Sequence, residues 1–109
     1  MAQPSSEFRD HVLDLLDMAD RVGFTRFFGG TGLRADGVQF AMIMGDTLYF
    51  CVDDDLRADL DAAGGAAFSY ATKRGRVTVG RYMSVAEDLL EDPDGLQELA
   101  ERAVVAARR

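Results

Sequence analysis

The chain has 109 residues, 12 Lys and Arg against 19 Asp and Glu, one Cys, one His and no Trp. That length is one ordinary domain, able to bury about two-thirds of its unfolded surface without disulfides or metal. A formal charge of −7 argues against coating nucleic acid by bulk electrostatics, and one cysteine excludes a disulfide framework within the chain and fits a reducing, cytoplasmic setting.

The start, MAQPSSEFRD, has no basic stretch leading into an apolar one, so no secretory leader is expected. The apolar runs are a few residues long, against about 20 for a membrane span. Of the 12 basic residues 11 are Arg, Ala is abundant and Ile43 is the only Ile. That bias reads as the mark of a GC-rich genome.

Residues 5–22 predict an amphipathic helix. Phe8, Val12, Leu15, Leu16, Ala19 and Val22 recur at helical spacing, Ser5 or Ser6 can cap the start, and Gly23 can stop it. The period then changes. Phe24 to Phe28 reads as a short strand, Gly29-Gly30-Thr31-Gly32 as a turn, and Leu33 to Ala35 as extended. Asp36-Gly37 suits a type I′ hairpin, in which both central residues take positive φ. Val38 to Met44 and Thr47 to Val52 follow as strands around Gly45-Asp46. Val38, Phe40, Met42 and Met44 alternate with Gln39, Ala41 and Ile43, as in a strand covered largely on one side.

Asp53-Asp54-Asp55 opens a second helix to about Ala63. One Asp caps the backbone, all three favour the positive helix end, and Gly64-Gly65 ends it. Phe68-Ser69-Tyr70 is a short extended piece, Thr72 to Gly75 a loop and Arg76 to Met83 a strand. Ser84 to Leu90 makes a short helix. Asp92-Pro93 starts the last one, with Leu96, Leu99, Ala100, Ala103, Val104 and Ala107 as its stripe. Arg102, Arg108 and Arg109 complement its negative end. The expected architecture is α+β with two layers: an antiparallel meander sheet packed against N-terminal and C-terminal helices, in one domain over residues 1–109.

From residue 26 the chain resembles the N-terminal domain of the TfoX/Sxy family of competence regulators. The resemblance is carried by Arg26-Phe27-Phe28-Gly29-Gly30, Gly32-Leu33, Asp36-Gly37-Val38, Phe40-Ala41, Leu48-Tyr49 and Val52-Asp53. It continues in Ala63-Gly64, Phe68-Ser69-Tyr70, Tyr82-Met83-Ser84-Val85 and Glu91-Asp92-Pro93-Asp94, over about residues 8–107. Phe27 stands where the family has Met, Cys51 at a basic or polar position, and Ala67 and Ala86 where the family has Pro. The resemblance implies an α+β fold. It also implies a place beside two-domain transcriptional co-regulators that act with the cyclic-AMP receptor protein to switch on DNA-uptake genes. The second domain of those members is not in this sequence. The family pattern marks Phe28, Gly29, Gly30, Gly32, Asp36, Gly37, Phe40, Tyr49, Phe68, Tyr70 and Tyr82 as turn and structural residues.

Each chemical motif has a plainer reading beside it. Gly29 to Gly32 could cradle a phosphate with backbone amides, but a phosphate loop runs into a helix, and here Leu33-Arg34-Ala35-Asp36-Gly37 stays extended and turns. Asp53, Asp54, Asp55, Asp59 and Asp61 fail the calcium-loop pattern, with Ala58 and Gly64 where Gly and Glu are required. His11 lacks partners at metal or triad spacing, and Cys51 has no evident base. The expectation is no enzyme, no cofactor and no metal.

Charge distribution says more. Residues 21–35 and 62–86 hold no acid and carry seven of the 12 basic residues. If those strands are neighbours, Arg26, Arg34, Lys73, Arg74, Arg76 and Arg81 form a basic stripe on an acidic molecule, with Tyr70 and Tyr82 close in sequence. Such a stripe suits an acidic partner protein, an anionic ligand or single-stranded nucleic acid, or merely guards a strand edge. The leading expectation is a protein partner, by family resemblance a regulator of the transcription machinery. Nucleic acid is disfavoured by net charge, no membrane is involved, and the chain is a monomer or homodimer.

Overall fold

The computed structural model describes residues 6–16, 22–27 and 30–109, without the side chains of residues 6, 26 and 27. Ten elements follow in chain order: α1 (Ser6–Leu16), β1 (Gly23–Phe27), β2 (Gly30–Ala35), β3 (Val38–Met44), β4 (Thr47–Cys51), α2 (Asp54–Ala62), β5 (Ala67–Thr72), β6 (Gly75–Ser84), α3 (Glu87–Leu90) and α4 (Pro93–Ala107). The fold is α+β. One six-stranded sheet runs β1-β2-β3-β4-β6-β5, every neighbouring pair antiparallel, and helices from both ends of the chain pack on it.

The helices form where periodicity places them. α1 buries Val12 and Leu16 and seats Phe8 and Leu15 against the same core. The expected run to residue 22 is not tested beyond Leu16, since residues 17–21 and the Ser5 cap lie outside the described residues, but Val22 is not helical. α4 begins at Pro93, and the Asp92 carboxylate accepts from the Gly95 N–H at 3.3 Å. It buries Leu96, Ala100, Ala103, Val104 and Ala106, and Gln97 Nε2 donates to the Leu15 carbonyl at 3.1 Å, tying the two terminal helices together. No basic residue falls in the last turn of α4; the three C-terminal arginines instead make ion pairs, Arg102 with Asp59, Arg108 with Asp36 and Arg109 with Asp53.

Asp53 caps α2, its Oδ1 accepting from the Leu56 N–H at 2.9 Å. The other end is a Schellman stop. Gly65 N–H reaches back to Leu60 and Gly64 N–H to Asp61, with Gly64 at φ 97°. The Leu56 N–H, aided by Arg109 and Arg102 and opposed by partial burial, holds the Asp53 carboxyl below its ordinary 3.8. A lowered folded-state pKa stabilises the fold above the ordinary carboxylate range, and that contribution fades as pH falls through 3.8 and below. The gap in melting temperature between wild type and Asp53→Ala should therefore be widest near neutrality and narrow on acidification. A gap that widens in acid would reverse the sign.

Four details differ from the sequence reading. The helix expected from Ser84 begins only at Glu87, because Ser84 still belongs to β6 and pairs with Tyr49. Thr31 and Gly32 are strand rather than turn, because β2 starts at Gly30, paired with Phe27. Phe28 and Gly29 lie outside the described residues. β3 does not alternate cleanly: Phe40, Ala41, Met42 and Ile43 are all buried. A register shift against Leu33 and Arg34 places Phe40 in the helix-side core together with Ala41 and Ile43, while Met42 is buried outside that cluster. Finally, the short extended piece at 68–70 is a full six-residue edge strand, β5.

Candidate interaction surface

The sheet order separates the two acid-free stretches. Arg34 lies on β2, and Arg76 and Arg81 lie on β6, with β3 and β4 between. Three strand steps are roughly 14 Å at the usual spacing. The six basic residues therefore do not line up on neighbouring strands, and the Arg26 side chain is outside the described residues. Arg34 Nη2 donates to the Gly37 carbonyl at 2.9 Å, clasping its own hairpin, whose Asp36 and Gly37 take φ 53° and 84° as the type I′ reading requires. Arg81 Nη2 reaches Cys51 Sγ at 3.5 Å and the Ala106 carbonyl at 3.4 Å. It thus serves a carbonyl at the end of α4, and the sulfur contact raises the guanidinium pKa above its ordinary value.

Lys73, Arg74 and Arg76 stand apart. They occupy the tip of the β5–β6 hairpin, where residues 71–78 are all exposed. The turn is pinned from within: Thr72 Oγ1 donates to the Gly75 carbonyl at 2.8 Å and accepts from the Arg74 N–H at 3.2 Å. Arg76 Nε donates to Ser69 Oγ at 2.9 Å across the pair. Among the described residues none of these three cations has a carboxylate partner, whereas Arg9, Arg57, Arg102, Arg108 and Arg109 each have one within 3.6 Å. Of the ten cations with described side chains, five have a carboxylate partner, Arg34 and Arg81 are engaged by backbone carbonyls, and these three are held out on an arm.

The family-pattern aromatics among the described residues lie on the sheet. Phe40 stacks on Phe50 in the core at 6.4 Å between ring centroids. Tyr49 meets Phe68 edge-on at 5.2 Å, and Phe68 leans on Tyr70 at 6.0 Å, bridging β4 and β5. Gln39 Nε2 donates to the Tyr82 hydroxyl at 3.1 Å, and Thr25 Oγ1 donates to Gln39 Oε1 at 3.4 Å. This chain joins β1, β3 and β6, and burial pushes the Tyr82 phenol up from its ordinary value despite the Gln39 bond. Sequence reading missed it, since Gln39 and Tyr82 are 43 residues apart.

Two grooves flank α2. One of about 380 Å³ is lined by Asp54, Arg57, Ala58, Asp61, Ala67 and Met83. The other, about 260 Å³, is lined by residues including Asp53, Arg57, Arg81 and Arg109. Arg57 bonds the Gly80 carbonyl at 3.1 Å and Asp54 at 3.1 Å, so it braces α2 against β6. Cys51 is buried and His11 exposed. Among the described residues no group of three or more His, Cys, Asp or Glu could hold a metal ion, and no helix is long and apolar enough to cross a membrane.

A search of curated proteins finds no match. The family model of the TfoX N-terminal domain matches residues 14–107, a span that takes in the meander, the α2 cap and stop, the basic arm and α4. The chain belongs to the TfoX N-terminal domain family.

Proposed function

We propose that this chain is a regulatory binding module, not an enzyme, that works by protein–protein contact in transcriptional control of the competence type. Family membership supports the setting. The observation that carries the mode of action is the arm: Lys73, Arg74 and Arg76 are exposed on a pinned turn without carboxylate partners among the described residues. Desolvating a charge that has no partner is costly, so such a surface favours contact with a complementary acidic one and rejects basic ones.

The test compares wild type with K73E/R74E/R76E as baits in a native extract, with folding checked by circular dichroism. A protein held by the wild type and lost from the reversed variant is the expected result. No specific capture by either bait would sink the reading.

The same cations could instead meet phosphates, the second reading. Three such contacts predict a salt slope of about −2.7 for duplex DNA. Flat salt dependence, or no shift with DNA or RNA at low salt, removes that reading.

A further inference from the structure

β5 is the edge of the sheet, and among the described residues its outer side pairs with nothing. Its sequence, Ala67-Phe68-Ser69-Tyr70-Ala71-Thr72, contains no charge and no proline, two common guards that keep an edge from pairing, and its pairing with β6 is regular from Phe68 to Thr72. At one end of this strand stand Lys73 and Arg74, with Arg76 just across the turn. At the other end Ala67 opens onto the groove lined by Asp54, Ala58 and Asp61. Those three residues are spaced i, i+4 and i+7, so they form one stripe along α2. Asp61 has no ion pair among the described residues, and Asp54 pairs with the half-buried Arg57. The strand therefore ends in cations, and its beginning borders a groove that holds two α2 carboxylates and one cation, Arg57.

Antiparallel pairing of two such strands superposes the beginning of one on the end of the other. We propose that β5 is a self-pairing edge. Two copies of this chain join β5 to β5 about a twofold axis, and Lys73, Arg74 and Arg76 of each copy meet Asp54 and Asp61 of the other. The contact is isologous and closes on itself, so it makes a dimer and not a filament. It occupies both bare edges, matches each cationic tip to an anionic groove, and gives the free arm its counter-charge. The proposal rests on the reading that the arm makes protein contacts and names the acidic surface as a second copy.

Sedimentation velocity over a range of concentration tests it, on wild type, K73E/R74E/R76E, D54K/D61K and an equimolar mixture of the two variants. Asp61→Lys alone serves as a milder groove variant, and circular dichroism reports folding. The expected result is a wild-type dimer, weakened at least about tenfold in either reversed variant by turning attraction into repulsion, and restored in the mixture. Amides of β5 should gain protection from hydrogen exchange as the wild type associates. A wild type that stays monomeric at millimolar concentration overturns the proposal, as does a dimer indifferent to both reversals or a mixture that fails to associate. If the wild type is monomeric while the arm still captures a different protein from extract, the dimer fails and the protein-contact reading stands. If arm reversal abolishes binding to a short DNA duplex and leaves self-association untouched, the arm is a nucleic-acid contact and both fail.

Discussion

Replacing Phe50 by Ala is expected to cost about 3–5 kcal/mol of unfolding free energy. Phe50 is completely buried on β4. Its backbone is paired with Ala41 on β3 and Met83 on β6, and its ring stacks on Phe40. It therefore sits where the N-terminal meander meets the β5–β6 hairpin, beneath α4. Truncation removes the ring from both halves of the sheet at once, and neighbouring backbone held in two ladders has little freedom to collapse into the space. A domain of this size has roughly 5–15 kcal/mol in all, so the variant should be marginal. Urea unfolding measures the loss. Val105→Ala, at a helix position that is 48% exposed, should stay within about 0.5 kcal/mol of wild type. A loss below about 1 kcal/mol at Phe50 would mean that the two parts of the sheet do not share one core.

The position of Phe50 also shows what sequence can and cannot deliver. Local patterns were legible. The Asp36-Gly37 hairpin, the Asp53 and Asp92 caps and the apolar stripe of α4 each follow from residues within a few positions of one another, and all are present. The bulge that turns Phe40 into the core was not, because it arises from a register shift against β2 and leaves no mark on the alternation of β3 itself. Sheet order was also out of reach. A meander followed by a hairpin can add that hairpin at either edge. The choice of β4 as the docking strand is what places the two acid-free stretches on opposite sides. The same holds for the candidate surface. That residues 62–86 lack acids is visible in the chain. Which cations remain unpaired depends on partners such as Arg108 and Asp36, 72 residues apart, and only the fold brings those together.

Gly30→Ala separates the packing reading of the glycine-rich segment from a ligand reading. Gly30 is buried at the start of β2, beside Ile43 and Met44 on β3. A Cβ built there runs into the Met44 sulfur and the Ile43 carbonyl oxygen. The sulfur ends a flexible side chain and can move. The carbonyl belongs to the neighbouring strand, and it can give way only if β2 and β3 part, which strains their ladder. Overpacking of this kind costs about 1–3 kcal/mol, and a backbone obstacle puts the expectation at the upper end. Gly32→Ala is the control. Its Cβ would meet Gln39 Oε1 at 2.5 Å and Thr25 Oγ1 at 2.7 Å, both side-chain ends that can shift without moving a strand, at the cost of the exposed Thr25–Gln39 hydrogen bond and some strain on the Gln39–Tyr82 one. The expected order of destabilisation in urea is Gly30→Ala above Gly32→Ala. A phosphate-cradling segment predicts another outcome: both variants would keep wild-type stability and lose affinity for inorganic phosphate. Strand geometry through Thr31 and Gly32 favours the first outcome, since amides engaged in β-pairing on both sides are not turned toward a shared anion.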